Sequence, residues 1–414
     1  MKKNYIIVGL IFIIFFVISS ITNILNSILP NIKESFNLSL AMAGFLPFSF
    51  FIAYGVMSIP AGALIEKQGE KKTIIYSFLV ALVGTILITS FTTFGIALAS
   101  LFLIGIGMAM LQVAINPLLR VSGGEENFAF YSVMAQLVFA GASAISPRVY
   151  SYLMEGIGGT GKKDVLVKTL SGLVPEGLSW VSLYWIFTAV IIVMILVVFV
   201  IRFPGVQLKS DEKAGAFDTY KELLKNKYVV LFFLGIFAYV GTEQGTANWI
   251  SEFLKQQHGF SPQQEGAWTV SSFWLLLTIG CVFGLVLLKL FSSKKILVVF
   301  SSAAIISLTV ALMSNGNISM YAFAGVGFFM SVMWSIIFSL ALNSVAEHHG
   351  SFSGILCTGI IGGALVPLII GTLGDLLGLK TGMFFLYITL GYILSIGIWA
   401  KPIITNKTIR LKKD

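Results

Sequence analysis

Apolar residues dominate this chain in long runs that are separated by short polar segments. A helix needs roughly 20 apolar residues to cross a hydrocarbon core of about 30 Å. Twelve runs reach this length, and they predict an all-α membrane protein with six spans in each half. The predicted spans cover residues 5–29, 41–65, 73–90, 94–118, 127–154, 180–201, 228–254, 267–289, 296–313, 318–342, 351–374 and 381–400.

The composition excludes most classes of soluble protein. The chain has 414 residues, of which 57% are hydrophobic and 11% are charged, whereas about a quarter of the residues of a soluble protein are charged. A soluble enzyme, a nucleic-acid-binding protein and a disordered chain are therefore excluded. The net charge of +9 does not indicate a polyanionic partner, because basic residues concentrate in the cytoplasmic loops of membrane proteins.

Lysine and arginine residues indicate the orientation of the chain. With the N-terminus inside, the segments on that side hold 20 of the 27 basic residues, and the opposite loops hold six. This bias predicts that both termini and the long central loop are cytoplasmic. The first run lacks a cleavage pattern and is predicted to be a true span, not a signal peptide. A bias toward Ile, Phe, Lys and Asn favours an AT-rich bacterial genome, and therefore a bacterial inner membrane.

One long charged segment divides the spans into two sets of six. Residues 204–227 are predicted to form a cytoplasmic linker between a bundle at 1–203 and a bundle with a cytoplasmic tail at 228–414. Internal similarity supports two pseudo-symmetric bundles, although Gly-x-Gly is also common in unrelated membrane helices. The similar pairs are Gly105 and Gly107 with Gly325 and Gly327, and Gly62, Lys67 and Lys72 with Gly284, Lys289 and Lys294.

The loop between spans 2 and 3 resembles the signature loop of the major facilitator superfamily. An acid at a helix end can pair across the interface between halves and hold one conformation, so the loop is predicted to be a conformational latch. The alternative is a lysine cluster that only sets orientation. The latch residues are Gly62, Glu66, Lys67, Gly69 and Lys71.

Several motifs in both halves resemble the fucose–proton symporter family of that superfamily, and most closely its glucose/galactose branch. They are Ser58-Ile-Pro-Ala-Gly62, Leu111-Gln-Val-Ala-Ile-Asn-Pro117, Tyr239-Val-Gly-Thr-Glu243, Ile337-Phe-Ser-Leu-Ala341, Gly354-Ile-Leu-Cys357 and Gly362-Gly-Ala-Leu-Val-Pro367. The resemblance implies the major facilitator fold, with 12 transmembrane helices in two six-helix bundles, and a sugar-like substrate.

Departures from the family pattern leave the co-transported ion open. Ser27 stands where the family has its proton-titrating Asp, and Gln112 stands where the fucose branch has an acid. Phe139, Cys281 and the run Trp334-Ser335-Ile336 replace an Asn, an Arg and an aromatic-Pro-Thr run of the family. The resemblance therefore supports the fold and the substrate class more strongly than it supports H⁺ or Na⁺ as the ion.

Two ionisable residues lie well inside predicted spans, where burying a charge costs several kcal/mol. Glu243 is the only such carboxylate, and we expect it, together with the Ser27 position, to couple transport to a cation. The alternative is a structural carboxylate that pairs with Arg148 or is held by backbone donors. Arg148 itself either faces the central cavity or extends its head to the outer interface.

Uncharged polar and aromatic side chains recur at helical spacing within the spans. Amides donate and accept hydrogen bonds, as a polyol requires, and a tryptophan ring offers a flat apolar surface to a pyranose. The alternatives are interhelical hydrogen bonds of about 0.6 kcal/mol and an interfacial aromatic belt. The predicted substrate-binding residues are Asn23, Asn26, Gln112, Asn116, Gln136, Gln244, Asn248, Trp274 and Trp334.

These patterns predict a secondary transporter that takes up a hexose or a similar small sugar by alternating access, coupled to H⁺ or Na⁺. An uncoupled sugar facilitator, a drug or metabolite exporter and a nutrient receptor on the same scaffold are the alternatives. An enzyme is not expected, because the three histidines lie at loops and no metal, nucleophile or phosphate-loop spacing is present. We expect no cofactor, no metal and no nucleic acid, and a monomer that contacts only its sugar and the bilayer.

Overall fold

The computed structural model describes residues 4–123, 128–159, 164–203, 217–344 and 349–401, which form helices without any strand. The first half contains α1 (Tyr5–Asn23), α2 (Leu25–Ser35), α3 (Leu40–Gln68), α4 (Glu70–Ser90), α5 (Phe94–Gly123), α6 (Phe128–Gly158), α7 (Val165–Ser171) and α8 (Val181–Val200). The second half contains α9 (Phe217–Lys225), α10 (Lys227–His258), α11 (Ala267–Leu290), α12 (Ser293–Met313), α13 (Gly316–Met330), α14 (Met333–Leu342), α15 (His349–Thr358), α16 (Gly362–Leu377), α17 (Leu379–Met383) and α18 (Phe385–Trp399).

The helices account for the predicted spans. Within the described residues, 11 segments are long and apolar enough to cross a membrane. The predicted fifth span lies in α6, which is 31 residues long. The prediction of an all-helical, multi-pass membrane protein is therefore confirmed. We call the side that holds Tyr5 and Trp399 the inner side, and the opposite side the outer side.

Four spans are interrupted where uniform apolar runs predicted unbroken helices. Span 1 changes from α1 to α2 at Ile24, and span 12 changes from α17 to α18 at Phe384. Span 10 changes from α13 to α14, and span 11 contains a 3₁₀ turn at Gly359–Ile361. In span 1, the N–H groups of Ser27 and Ile28 both donate to the Ile24 carbonyl, at 3.0 and 3.2 Å, so a tighter 3₁₀-type bond occurs at the break. Hydropathy does not register such breaks, because they depend on backbone hydrogen bonds.

The two Gly-x-Gly pairs serve close helix packing at corresponding places in the two halves. A Cβ on Gly105 would overlap the backbone of α3, and one on Gly107 would overlap that of α4. In the second half, Gly325 faces Ser307 of α12 and Gly327 faces the Phe273 carbonyl of α11. Spans 4 and 10 thus each fit between the second and third spans of their own half, as two pseudo-symmetric bundles require.

The three most extensive contacts between the halves pair one helix of each half. The helix of the first half is named first: α3 packs on α16, α6 on α11, and α2 on α10. The contact between α3 and α16 is close, since a Cβ on Gly44 would lie 2.9 Å from the Cα of Leu368. These seams place the polar residues of spans 1, 5 and 7 between the two bundles. The domain boundaries at 203 and 228 stay predictions, and residues 204–216 of the linker lie outside the described residues.

Candidate functional site

The partly buried carboxylate of Glu243 lies near the middle of the 32-residue helix α10. Asn226 caps the start of this helix by accepting from the N–H of Tyr228, and Gly259 ends it in the left-handed conformation. The Tyr239 hydroxyl, one turn before Glu243, donates to Oε2 at 2.6 Å. The side-chain amide of Gln244 donates to Oε1 at 3.3 Å. Both carboxylate oxygens therefore accept hydrogen bonds from residues of the same helix.

An aromatic surface adjoins this carboxylate. The ring of Tyr239 lies 5.9 Å from that of Trp334 at the start of α14, and Trp334 stacks on Phe338 at 5.9 Å and an interplanar angle of 22°. Trp334 is partly buried next to the break in span 10. A partly open flat ring beside a hydrogen-bonding acid is suited to a ligand with one polar and one apolar face.

The first half contributes amides and hydroxyls to the same region. Nε2 of Gln244 lies 3.3 Å from Oδ1 of Asn23, the last residue of α1. Asn23 in turn donates from Nδ2 to the Ser143 hydroxyl at 2.8 Å, and the Ser143 and Ser19 hydroxyls are 2.7 Å apart. A hydrogen-bonded chain thus runs from the carboxylate in span 7 through span 1 to span 5.

Several buried polar atoms in spans 1, 7 and 8 have no partner among the described residues. Asn248 donates from Nδ2 to the Gln244 carbonyl at 2.8 Å, but its Oδ1 accepts nothing. Buried polar groups are normally hydrogen-bonded, so these atoms are available to a polar ligand. Among the others are both amide atoms of Asn26, the Ser27 hydroxyl and the Trp274 indole nitrogen.

Three further predicted substrate-binding residues, Gln112, Gln136 and Asn116, lie on α5 and α6. Gln112 is partly buried on α5 and has an interaction of its own, whereas Gln136 is exposed on α6. The side chain of Asn116 lies outside the described residues. The roles of these three residues stay predictions.

Arg148 makes a contact between the halves and does not reach Glu243. Its Nε donates to the Ser271 hydroxyl of α11 at 3.2 Å, and Ser271 donates to the Ala144 carbonyl of α6 at 2.6 Å. The alternative of an Arg148–Glu243 ion pair is therefore not realised in this conformation. The reason is position, since Arg148 lies in the outer part of α6, where span 8 is its neighbour.

At the outer side, charged side chains join the halves, and we call this set of contacts the outer seam. Nζ of Lys33 lies 2.8 Å from Oε1 of Glu252, and Lys255 pairs with Glu34. The two oxygens of Asp375, on α16, each accept at 2.7 Å from the backbone N–H groups of Leu40 and Ala41, which start α3. The outer seam therefore joins the two halves at this side of the molecule through charged groups.

The predicted latch loop contacts its own half. Nζ of Lys71 donates to the carbonyls of Phe199 and Ile201, both at 2.8 Å, at the end of α8. Gly69 ends α3 with φ of 80°, as a tight loop requires. Lys67 is exposed and Gly62 partly buried, and the side chain of Glu66 lies outside the described residues. A latch between halves at this loop therefore stays a prediction.

Sequence reasoning missed several of these residues. Tyr239 had a usable signal, because it stands four residues before Glu243 and must share its helix face. Ser143, Ser271 and Asp375 had none, because their partners lie more than 100 residues away in the chain. No cluster of three or more His, Cys, Asp or Glu side chains suited to a metal is found in the described part of the chain.

Comparison with known proteins defines the class. The model of the Major Facilitator Superfamily matches residues 11–367, and the chain belongs to this superfamily. It is accordingly a multi-pass membrane transporter and not an enzyme.

Among curated relatives, the chain is 29% identical over 396 residues to a glucose/galactose transporter of Brucella abortus, covering 93% of this chain and 92% of the relative. It is 26% identical over 398 residues to the L-fucose-proton symporter of Escherichia coli, covering 91% and 89%. The resemblance to the fucose–proton symporter family is thereby confirmed.

Solved structures share the fold. The fucose:proton symporter FucP of E. coli is similar with a TM-score of 0.69 and 23% identity, over 97% of this chain and 100% of that chain. A bacterial homolog of the human lysosomal transporter Spinster, in an inward-facing conformation, is similar with a TM-score of 0.75 and 15% identity, over 97% and 98%.

Proposed function

We propose that this protein takes up a hexose or a similar small sugar across a bacterial inner membrane, as a monomer, by alternating access. The observation that carries the proposal is the cluster around Glu243, in which a carboxylate, two amides and an aromatic surface from both halves converge. Relatives named for glucose, galactose and fucose transport support a sugar as the substrate.

The chemistry of the cluster suits a pyranose. Each sugar hydroxyl both donates and accepts, and the cluster offers amide groups and a carboxylate for this purpose. Trp334 offers a flat surface for the C–H face of the ring, and the unpartnered atoms of Asn26 and Asn248 offer further hydrogen bonds. The cluster lies where the two bundles meet, so their rocking would expose it to one side at a time.

We further propose that uptake is coupled to H⁺ through Glu243. A carboxylate that can be neutralised is the simplest proton carrier inside a membrane, and one relative is named a proton symporter. Ser27, at the position of the family acid, offers a hydroxyl but no titrating group. If Glu243 did not titrate during transport, the protein would be an uncoupled facilitator.

The test uses purified protein in liposomes loaded with unlabelled sugar. Counterflow of radiolabelled glucose, galactose and fucose is measured without ion gradients, and accumulation is then measured with an imposed inward proton gradient. Counterflow of at least one sugar and gradient-driven accumulation are expected for the wild type. In Glu243→Gln, accumulation is expected to fall at least tenfold while counterflow persists, because a neutral amide cannot carry the proton.

Glu222→Gln is the matched control, since Glu222 is exposed on α9 and the substitution is the same. Absence of counterflow with all three sugars contradicts sugar transport and favours an exporter or a receptor. Accumulation that survives Glu243→Gln contradicts the role of Glu243 in coupling. Accumulation that follows a sodium gradient instead identifies Na⁺ as the ion.

A further inference from the structure

The Gln244 side chain connects the carboxylate of Glu243 to the other half of the molecule. Its Nε2 carries two hydrogens and lies 3.3 Å from both Oε1 of Glu243 and Oδ1 of Asn23. Gln244 is 3% exposed and Asn23 is 1% exposed. A single buried amide nitrogen therefore has one acceptor in each half.

This connection belongs to the cluster around Glu243 and lies inward of the outer seam. Asn23 precedes Lys33 by ten residues along span 1, and Gln244 precedes Glu252 by eight along α10. At 1.5 Å per residue these separations are about 15 Å and about 12 Å. The contact between Gln244 and Asn23 therefore lies about 12 to 15 Å inward of the Lys33–Glu252 pair.

We propose that Gln244 is a positioning residue that links the charge on Glu243 to closure of the outer side. The inference rests on the proposed function. An ionised carboxylate holds one N–H of Gln244 through a charge-assisted hydrogen bond, and this orients the second N–H toward Asn23. Protonation of Glu243 removes the negative charge and weakens that hold, so the bridge to Asn23 weakens and the outer side opens more readily.

The sign of this effect suits symport. A protonated carrier without sugar favours the outward-open state and waits for substrate, whereas loss of the proton to the inside favours the outward-closed state. By linkage, the outward-open state binds the proton more tightly than the outward-closed state does. Uptake driven by an inward proton gradient requires this order of affinities. No water or further carrier group is needed for the coupling itself.

Other titratable groups near this bridge are few in the described part of the chain. Tyr239 on the same helix and Cys281 on α11 lie close to Glu243. The charged residues on elements packed against α10 include Lys33 on α2 and Asp375 on α16, and both belong to the outer seam. A pH response that comes from the outer seam would survive neutralisation of Glu243, which separates the two origins.

The experiment measures opening of the outer side directly. Both native cysteines are replaced, with Cys281→Ser and Cys357→Ser. Spin labels are attached at two exposed outer positions of opposite halves, Glu176→Cys in the loop before α8 and Asn317→Cys in the first turn of α13. We call this labelled protein the outer reporter. The distribution of distances between the labels is recorded from pH 5 to pH 8 without sugar.

The open fraction of the outer reporter is expected to rise at least threefold from pH 8 to pH 5. Gln244→Leu and Asn23→Leu are expected to abolish this rise, as is Glu243→Gln. A merely structural role of Gln244 would instead shift the open fraction equally at every pH. Gln257→Leu is the matched control, because Gln257 is exposed at the end of the same helix.

A pH response that is unchanged in Gln244→Leu overturns the inference, and so does a response that persists in Glu243→Gln. Size-exclusion profiles identify variants that fail to fold, in which case Gln244→Met replaces Gln244→Leu. The measurement needs no sugar. If the outer reporter responds as expected while counterflow is absent for every sugar, the proposed substrate fails and the linkage stands.

Discussion

The outer seam and the central cluster both join the two halves, but with different chemistry. The outer seam uses full charges, namely the Lys33–Glu252 pair and the Asp375 carboxylate on the N-terminus of α3. The central cluster uses neutral donors around one carboxylate, and its bridge through Gln244 has longer distances of 3.3 Å.

This difference in chemistry gives the two sets of contacts different stability against replacement by a ligand. Oppositely charged groups that pair with good geometry away from bulk water make strong, selective contacts. Removing one partner leaves an unpaired buried charge, which is unfavourable in free energy. Amide contacts are weaker and can be replaced by a sugar hydroxyl with little loss. We infer that the outer seam determines which side is closed, while the central cluster responds to ligand and proton.

The largest effect is expected from breaking the more buried ion pair of the outer seam. Lys33→Met leaves the Glu252 carboxylate, whose side chain is 2% exposed, without its cation. Loss of one partner of a buried pair costs about 3 kcal/mol. The equilibrium constant for opening of the outer side, measured with the outer reporter, should therefore rise about a hundredfold. Distances between the spin labels measure this change.

Lys255→Met is the matched comparison. Lys255 pairs with Glu34, but these side chains are 32% and 57% exposed, and exposed pairs contribute about 0–1 kcal/mol. An effect of Lys255→Met as large as that of Lys33→Met would contradict the importance of burial in the outer seam.

A smaller effect is expected from steric opening of the outer seam. A Cβ on Gly371 would overlap the Leu40 carbonyl of the other half, and it would lie 2.9 Å from the ring of Trp249. Overpacking costs about 2 kcal/mol. In Gly371→Val the equilibrium constant for opening, measured with the outer reporter, should therefore rise more than tenfold, and sugar uptake should slow.

The control is Gly391→Val on α18, because a Cβ there meets nothing within 4 Å. If the label distances in Gly371→Val stay at their wild-type values, the contact between α3 and α16 is not what closes the outer side.

The smallest effect is expected in the central cluster. Trp334→Ala removes the flat ring that stacks on Phe338, and the lost apolar contact is worth about 1.5 kcal/mol. The KM for sugar counterflow should therefore rise about tenfold, with little change in the outer reporter. Trp334→Phe should recover most of the affinity, and a KM that is insensitive to both substitutions would place the sugar elsewhere.

Much of the fold could be predicted from the sequence. The length and number of the spans follow from the apolar runs. The thickness of the hydrocarbon core sets a minimum length, and each run can be compared with that length without reference to the rest of the chain. The pairing of the two Gly-x-Gly motifs also anticipated the packing of spans 4 and 10. The breaks in spans 1, 10, 11 and 12 could not be predicted, since the sequence is apolar on both sides of each break.

The candidate site was predicted in part. Glu243, Gln244 and Asn23 were chosen as polar residues inside apolar runs, and the structure brings them into one hydrogen-bonded group. Arg148 was chosen by the same criterion, yet it contacts Ser271 at a seam between halves. A polar residue within an apolar run is expected to have a structural or functional role, but its position in the run does not show whether it binds a ligand or joins two helices.

By itself the sequence determined that the chain crosses the membrane many times and that an acid lies in the middle of span 7. Both are properties of single segments, and the cost of burying charge or exposing apolar surface applies to each segment alone. Only the tertiary structure decided that Gln244 meets Asn23 and that Asp375 caps α3. Those partners are separated by more than 200 residues, so their contact depends on how two bundles pack and not on any local pattern.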